Sequence, residues 1–167
     1  PIPPEPKQSV FLANIVQKEL KGTTGNYGFI IKNLKTAEYY SQSAQKKFLS
    51  GSLYKLWVMG TVYQQIKDTT LHKDDILSQE VSVLNTEFYL DAETAEQTEG
   101  TITFSVKDAL EQMITLSDNY SALLLTEKVK LSSIASFLLA NNLTQSKVGV
   151  EGNAPTEGHW LTRVQNP

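Results

Sequence analysis

The stretch Phe48-Leu49-Ser50-Gly51-Ser52-Leu53-Tyr54-Lys55-Leu56-Trp57-Val58-Met59 opens a run in which Leu53, Leu56, Trp57, Val58, Met59, Val62, Tyr63 and Ile66 recur at helical spacing. Apolar residues fall nearly all the way round the axis, which predicts a buried central helix over residues 52–66. Ser52 and Lys55 stand three residues apart at its start, so both side chains lie on one face and can approach each other. A serine hydroxyl is a weak nucleophile until a neighbour accepts its proton, and a lysine can be that neighbour when burial disfavours its charged form. Set among Leu53, Leu56, Trp57, Val58 and Met59, Lys55 must pair, reach outward to water or lose its proton more readily.

The spacing alone does not decide the matter. Roughly one Ser-x-x-Lys arises by chance in a chain of this composition, and a surface lysine behind a capping serine looks the same. Ser43-Ala44-Gln45-Lys46 is such a copy; it lies in a polar stretch with no apolar helix to hold it and reads as a solvated turn.

Towards the N-terminus, Ser9 is an N-cap candidate for a helix carrying Phe11, Leu12, Ile15, Val16 and Leu20, with Gly22 as its stop. Residues 27–32 and 38–41 are β-prone and flank Asn33-Leu34-Lys35-Thr36, which predicts a hairpin. An isolated hairpin is marginal in water, so something else must cover it. Pro1, Pro3, Pro4 and Pro6 make residues 1–8 read as the end of a linker, and an export signal or anchor upstream is the expectation.

Towards the C-terminus, residues 71–90 are less regular, and the acidic, polar residues 91–100 predict an exposed loop. Ser105 begins a helix through Val106, Ala109, Leu110, Met113 and Ile114, with Asp108 three residues behind the cap and an end near Leu116. Two more helical stretches, residues 120–129 and 132–140, precede the breakers Asn141 and Asn142. No internal repeat is found.

Composition narrows the function classes. The chain has 167 residues, 20% charged and 40% hydrophobic, enough for one domain with a real core. A net charge of -3 and a single arginine, Arg163, offer no basic field for phosphates, which argues against nucleic acid as a partner. The absence of cysteine removes disulfides, thiolate zinc sites and a cysteine nucleophile. His72 and His159 lie far from any acidic or histidine cluster in sequence, so no metal or other cofactor is implied. No apolar run reaches the roughly 18 residues that span a bilayer.

Ser117-Asp118-Asn119 interrupts two apolar helical stretches, residues 113–116 and 122–125. A short polar turn there either caps the next helix or points into a cleft. In this order, about sixty residues apart, the Ser-x-x-Lys and Ser-Asp-Asn elements match the first two signatures of class A β-lactamases and penicillin-binding proteins. Residues 48–59 resemble that family's nucleophile helix, and Gly100-Thr101-Ile102-Thr103-Phe104-Ser105-Val106 resembles the approach to its second motif. The N-terminal helix and hairpin also come in the family's order, and the resemblance covers about residues 9–155.

The resemblance implies an α+β fold of the β-lactamase/DD-peptidase kind, here mainly the helical subdomain plus the N-terminal helix and hairpin, over residues 9–156. It implies a serine acyltransferase acting on β-lactams or D-Ala-D-Ala-type small molecules. Ser52 would attack the lactam carbonyl and Lys55 would accept or relay its proton. Ser117 would pass a proton to the departing nitrogen; Asn119 would bind the substrate's side-chain amide and steady Lys55. The backbone N–H of Ser52 would supply half of an oxyanion hole. An extracytoplasmic bacterial location, periplasmic or secreted, goes with the family.

The sequence also departs from the family pattern. The late Lys-Thr-Gly strand, source of the second oxyanion donor, is absent, and the nearest string is Lys35-Thr36-Ala37 in the hairpin. The further sheet strands that would pair with the hairpin are missing, so the chain reads as truncated, with an atypical tail over residues 157–167. Glu151 falls where the family places its deacylating glutamate, but its neighbours do not match, which favours a solvated loop acid and acylation without turnover.

Three functions therefore compete: an acylating enzyme, weak or inactive in this form; a non-catalytic fragment whose uncovered hairpin pairs in a homo-oligomer, a strand swap or a complex with another chain; and a peptidoglycan-binding module without acyl chemistry.

Overall fold

The computed structural model describes residues 7–46, 48–144, 146, 148, 165 and 166. The chain forms two compact units that meet in sequence at Lys47 and Phe48.

In the first unit, helix α1 spans Val10–Leu20. It starts where Ser9 adopts an extended backbone and its Oγ accepts from Leu12 N at 3.3 Å, one of the donors that a helix start leaves without a partner. Strands β1 (Phe29–Lys32) and β2 (Tyr39–Gln42) form the antiparallel hairpin in the register Phe29↔Gln42 to Lys32↔Tyr39. Its turn is held by Asn33, whose Oδ1 accepts from Lys35 N and Thr36 N. The cover that the hairpin needs comes from the residues before and within α1. Ser9 N donates to Tyr39 O, the Gln8 side chain exchanges two hydrogen bonds with Ser41, and Val16 and Tyr40 are buried.

The second unit holds the main core. Strand β3 (Phe48–Leu49) leads into a 3-10 turn, Gly51–Tyr54, and helix α2, Lys55–Lys67. There follow β4 (Ile76–Glu80), α3 (Val81–Glu87), β5 (Thr101–Ser105), α4 (Val106–Thr115), α5 (Asn119–Val129) and α6 (Leu131–Ala140). Strand β6 (Gln165–Asn166) pairs antiparallel with β3 and is the part of residues 157–167 that the structure describes. Each sheet among the described residues has two strands. No helix is long and apolar enough to cross a membrane among the described residues.

Two expectations change. The central helix is α5, not α2: Tyr120, Ala122, Leu123, Leu124, Leu125 and Val129 are all buried, because α2, α3, α4, α6, β4 and β5 pack around it. Helix α2 begins at Lys55, after the 3-10 turn, and buries Trp57, Val58 and Val62 while Leu53, Leu56 and Tyr63 stay about half exposed. Composition could not separate the two helices, since both are rich in apolar residues; which one is enclosed depends on the neighbours.

The β4–β5 hairpin has no counterpart in the sequence reading. Its strands pair from Ile76↔Ser105 to Glu80↔Thr101 across a connection containing α3, so there is no short Gly/Asn turn to announce it. The helix start at Ser105 holds: its Oγ accepts from Asp108 N at 3.1 Å and donates to Asp108 Oδ2 at 2.7 Å.

Candidate active site

The site is built by two chain reversals in the second unit. Gly51, at φ +50°, turns the chain from β3 into the 3-10 turn that carries Ser52 and delivers Lys55 as the first residue of α2. Between α4 and α5 the reversal is made by Ser117 at φ +57°, a left-handed conformation that most residues avoid. Leu116 N and Asp118 N both donate to Gln112 O and close α4. The Asp118 carboxylate then accepts from Ser121 N at 2.6 Å and caps α5, so Asn119 becomes its first residue. Capping and cleft-lining therefore coexist in one turn: Asp118 caps while Ser117 and Asn119 line.

Lys55 is only 2% exposed, whereas Ser52 and Ser117 are open to solvent. Its Nζ donates to the main-chain oxygen of Ser117, to Ser117 Oγ at 3.0 Å and to Asn119 Oδ1 at 2.8 Å, one acceptor for each ammonium proton. Ser117 Oγ in turn donates to Ser52 Oγ at 3.2 Å. The four predicted site residues thus meet in one hydrogen-bonded chain. One detail differs from the expectation that the Ser52 and Lys55 side chains approach each other: Lys55 N–H donates to Ser52 O along the backbone, but no hydrogen bond joins their side chains among the described residues, and the Ser117 hydroxyl stands between.

Burial holds the Lys55 ammonium below the usual lysine range, and the carboxylates of Asp118 and Glu96 oppose that shift. The Tyr54 ring lies 5.9 Å from Lys55 Nζ, and burial, with Glu96 and Asp118 adding to it, pushes its hydroxyl well above the ordinary tyrosine range.

Glu96 was not singled out by the sequence. Residues 91–100 form an exposed loop as expected, yet the loop brings Glu96 Oε1 to 2.6 Å from Asn119 Nδ2. An acid in an acidic loop carries no spacing signal, and the contacts by which buried Asn85 and Tyr120 hold the next residue are tertiary ones that the sequence does not announce.

The remaining candidates separate cleanly. Ser43 and Lys46 sit in an exposed turn where Lys46 Nζ donates to Asn26 Oδ1. His72 pairs locally with Asp75, and no metal-holding cluster occurs among the described residues. Glu151 and His159 lie outside the described residues.

A family model described as "Beta-lactamase enzyme family" matches residues 11–162. The chain belongs to the β-lactamase enzyme family. Among solved structures, a β-lactamase from Chitinophaga pinensis superposes with a TM-score of 0.70 at 13% identity, covering 92% of this chain and 57% of that one. PBP-A aligns with a TM-score of 0.68 at 11% identity, covering 96% and 58%. An ancestral class A β-lactamase gives 0.68 at 17% identity, covering 93% and 58%. No curated protein matches. At these identities the likeness establishes the β-lactamase/DD-peptidase fold, and this family member spans little more than half the length of the solved chains.

Proposed function

We propose that this chain carries the acylating portion of a serine β-lactamase-like site. Ser52 Oγ attacks the carbonyl carbon of a β-lactam, the lactam C–N bond opens, and the product is an ester on Ser52 with nothing lost from the ligand. The observation that carries this reading is the relay Ser52–Ser117–Lys55. With Lys55 neutral, which burial makes easier, the Ser117 hydroxyl turns to donate to the Lys55 amine and accept from Ser52, so the Ser52 proton passes by way of Ser117 to Lys55, and Ser117 then hands a proton to the departing nitrogen. The main-chain N–H of Ser52, in the first turn of the 3-10 segment where helical acceptors are lacking, is one donor for the developing oxyanion. Asn119, held by Lys55, binds the side-chain amide of the ligand.

Two further readings belong to the same site and surface. A D-Ala-D-Ala peptide is the alternative acyl donor, losing its terminal amino acid as the leaving group. Hydrolysis of the ester needs a base, and Glu151 is the candidate by position; without one the chain acylates and turns over weakly or not at all. The exposed β1–β2 hairpin, with Ile30 65% exposed, favours completion by another strand, in a homo-oligomer, a swapped dimer or a complex with a second chain. An extracytoplasmic site of action accords with cell-wall or lactam substrates.

Incubation with a fluorescent penicillin followed by intact-mass measurement tests the proposal. The expected result is one adduct of the full ligand mass on the wild-type chain and none on Ser52→Ala. No adduct on the wild type, or equal adducts on both, ends the acylation reading.

A further inference from the structure

Two pairs of adjacent residues lock together at the edge of the site. Tyr120 of α5 and Asn85 of α3 hold residue 97: Tyr120 OH lies 2.8 Å from Gln97 O and accepts from Gln97 N at 3.2 Å, while Asn85 Nδ2 donates to Gln97 O at 2.8 Å. Tyr120 and Asn85 are buried and are themselves joined at 2.8 Å. One residue earlier in both the loop and α5, Asn119 Nδ2 donates to Glu96 Oε1 at 2.6 Å. The loop is therefore anchored from beneath by buried groups, which hold the exposed Glu96 carboxylate against Asn119.

We propose that Glu96 is a positioning residue that sets the orientation of the Asn119 side-chain amide, and through it selects ligands bearing an acylamino side chain. An asparagine amide can be rotated to present either its oxygen or its nitrogen to a given neighbour. Lys55 is donor-only and demands the oxygen; Glu96, ionised, is acceptor-only and demands the nitrogen. Between them only one orientation satisfies both. One N–H of Asn119 is then spoken for, and the second is left in a fixed direction to donate to a ligand's side-chain carbonyl. The groups facing Lys55 are Asp118 at the cap of α5, Glu96 from the loop, Ser117, Asn119 and the Tyr54 ring, so Glu96 also adds to the negative field that favours its ammonium.

The ligand-selection part rests on the acylation reading; the orientation part rests on geometry alone, and the experiment separates them. Amide correlation spectra of the labelled full chain are recorded for wild type, Glu96→Ala, Glu96→Gln and Glu96→Asp, with the Asn119 side-chain pair assigned by its loss in Asn119→Ala. The pair should move in Glu96→Ala and Glu96→Asp and return in Glu96→Gln, which keeps an acceptor at the same reach without the charge. In parallel, acylation is timed with benzylpenicillin and with aminopenicillanic acid, which has a bare amine in place of the acylamino group. Glu96→Ala should slow the first by roughly tenfold and leave the second nearly unchanged, with Glu96→Gln recovering most of the loss. An Asn119 pair identical in wild type and Glu96→Ala, or rescue by Asp but not by Gln, overturns the proposal. Equal slowing of both ligands overturns its selective part. A wild type that takes neither ligand while the spectra shift as described refutes the proposed function and leaves the orientation of Asn119 by Glu96 standing.

Discussion

Ser117 donates its hydroxyl proton to the hydroxyl of Ser52 at 3.2 Å, while its own side-chain and main-chain oxygens both accept from Lys55. This places a second hydroxyl inside the path from nucleophile to amine. It also ties that path to a residue whose left-handed backbone is what turns α4 into α5.

Because the Ser117 hydroxyl and backbone have separate duties, Ser117→Gly removes one and eases the other. Glycine occupies the left-handed region without the penalty of about 1–2 kcal/mol that a side chain incurs there. Acylation of Ser117→Gly should fall by a factor of ~10² to 10⁴ while its denaturation midpoint holds or rises. Wild-type acylation by this variant would remove Ser117 from the path.

The buried Lys55 makes stability depend on pH. Its ammonium is disfavoured in the folded chain, so the unfolded chain binds more protons between the lowered folded value and the ordinary 10.5. Stability from this group is fully present above 10.5 and is lost as pH falls through the folded value. Tyr54 acts in the opposite sense: its raised folded value gives stability that is complete below 10.0 and is lost as pH climbs from 10.0 to the higher folded value. Comparing wild type with Lys55→Met cancels most of the tyrosine effect, and wild type should gain on the variant as pH rises towards 10.5 in denaturant titrations. A constant difference across that range would mean that Lys55 titrates normally.

Gly60 lets α2 approach α6 closely. A Cβ placed there would come within 2.8 Å of Phe137 Cε1 and nearer still to Cζ. Gly60→Ala should therefore cost about 1–3 kcal/mol by overpacking, despite alanine's better helix propensity. Pairing it with Phe137→Leu should return part of that loss. Strict additivity of the two in a double-mutant cycle would show that the ring is not the obstacle.

Lys130 joins α5 to α6 at φ +72° and ψ 142°, a conformation close to one that is essentially confined to glycine. Lys130→Gly should stabilise the chain by about 1 kcal/mol, the strain of ~1–3 kcal/mol less the entropy cost of a glycine of ~0.5–1 kcal/mol. Lower stability of the glycine variant in urea titration would show that the lysine side chain outweighs its backbone.

Local chemistry was legible where a short segment decides its own shape. Ser9 and Ser105 cap the helices they were expected to cap, and Asn33 closes the turn between β1 and β2. That Ser52, Lys55, Ser117 and Asn119 come together was legible too, because two motifs in a fixed order are improbable together by chance. Long-range choices were not. Nothing in residues 76–80 and 101–105 says that they pair, since α3 intervenes and no tight turn links them. Glu96 reaches Asn119 only because buried Tyr120 and Asn85 hold the loop from below.

By itself, then, the sequence determined which residues could act as nucleophile, amine and polar turn, and which helices could begin where they do; propensity, capping and spacing are properties of neighbours along the chain. The tertiary structure alone decided that α5 rather than α2 is enclosed, that Ser117 stands between Ser52 and Lys55, and that Glu96 completes the cluster. Each of those is a contact between residues more than twenty positions apart, or the sum of many such contacts, and its geometry is fixed only when helices pack and exclude water.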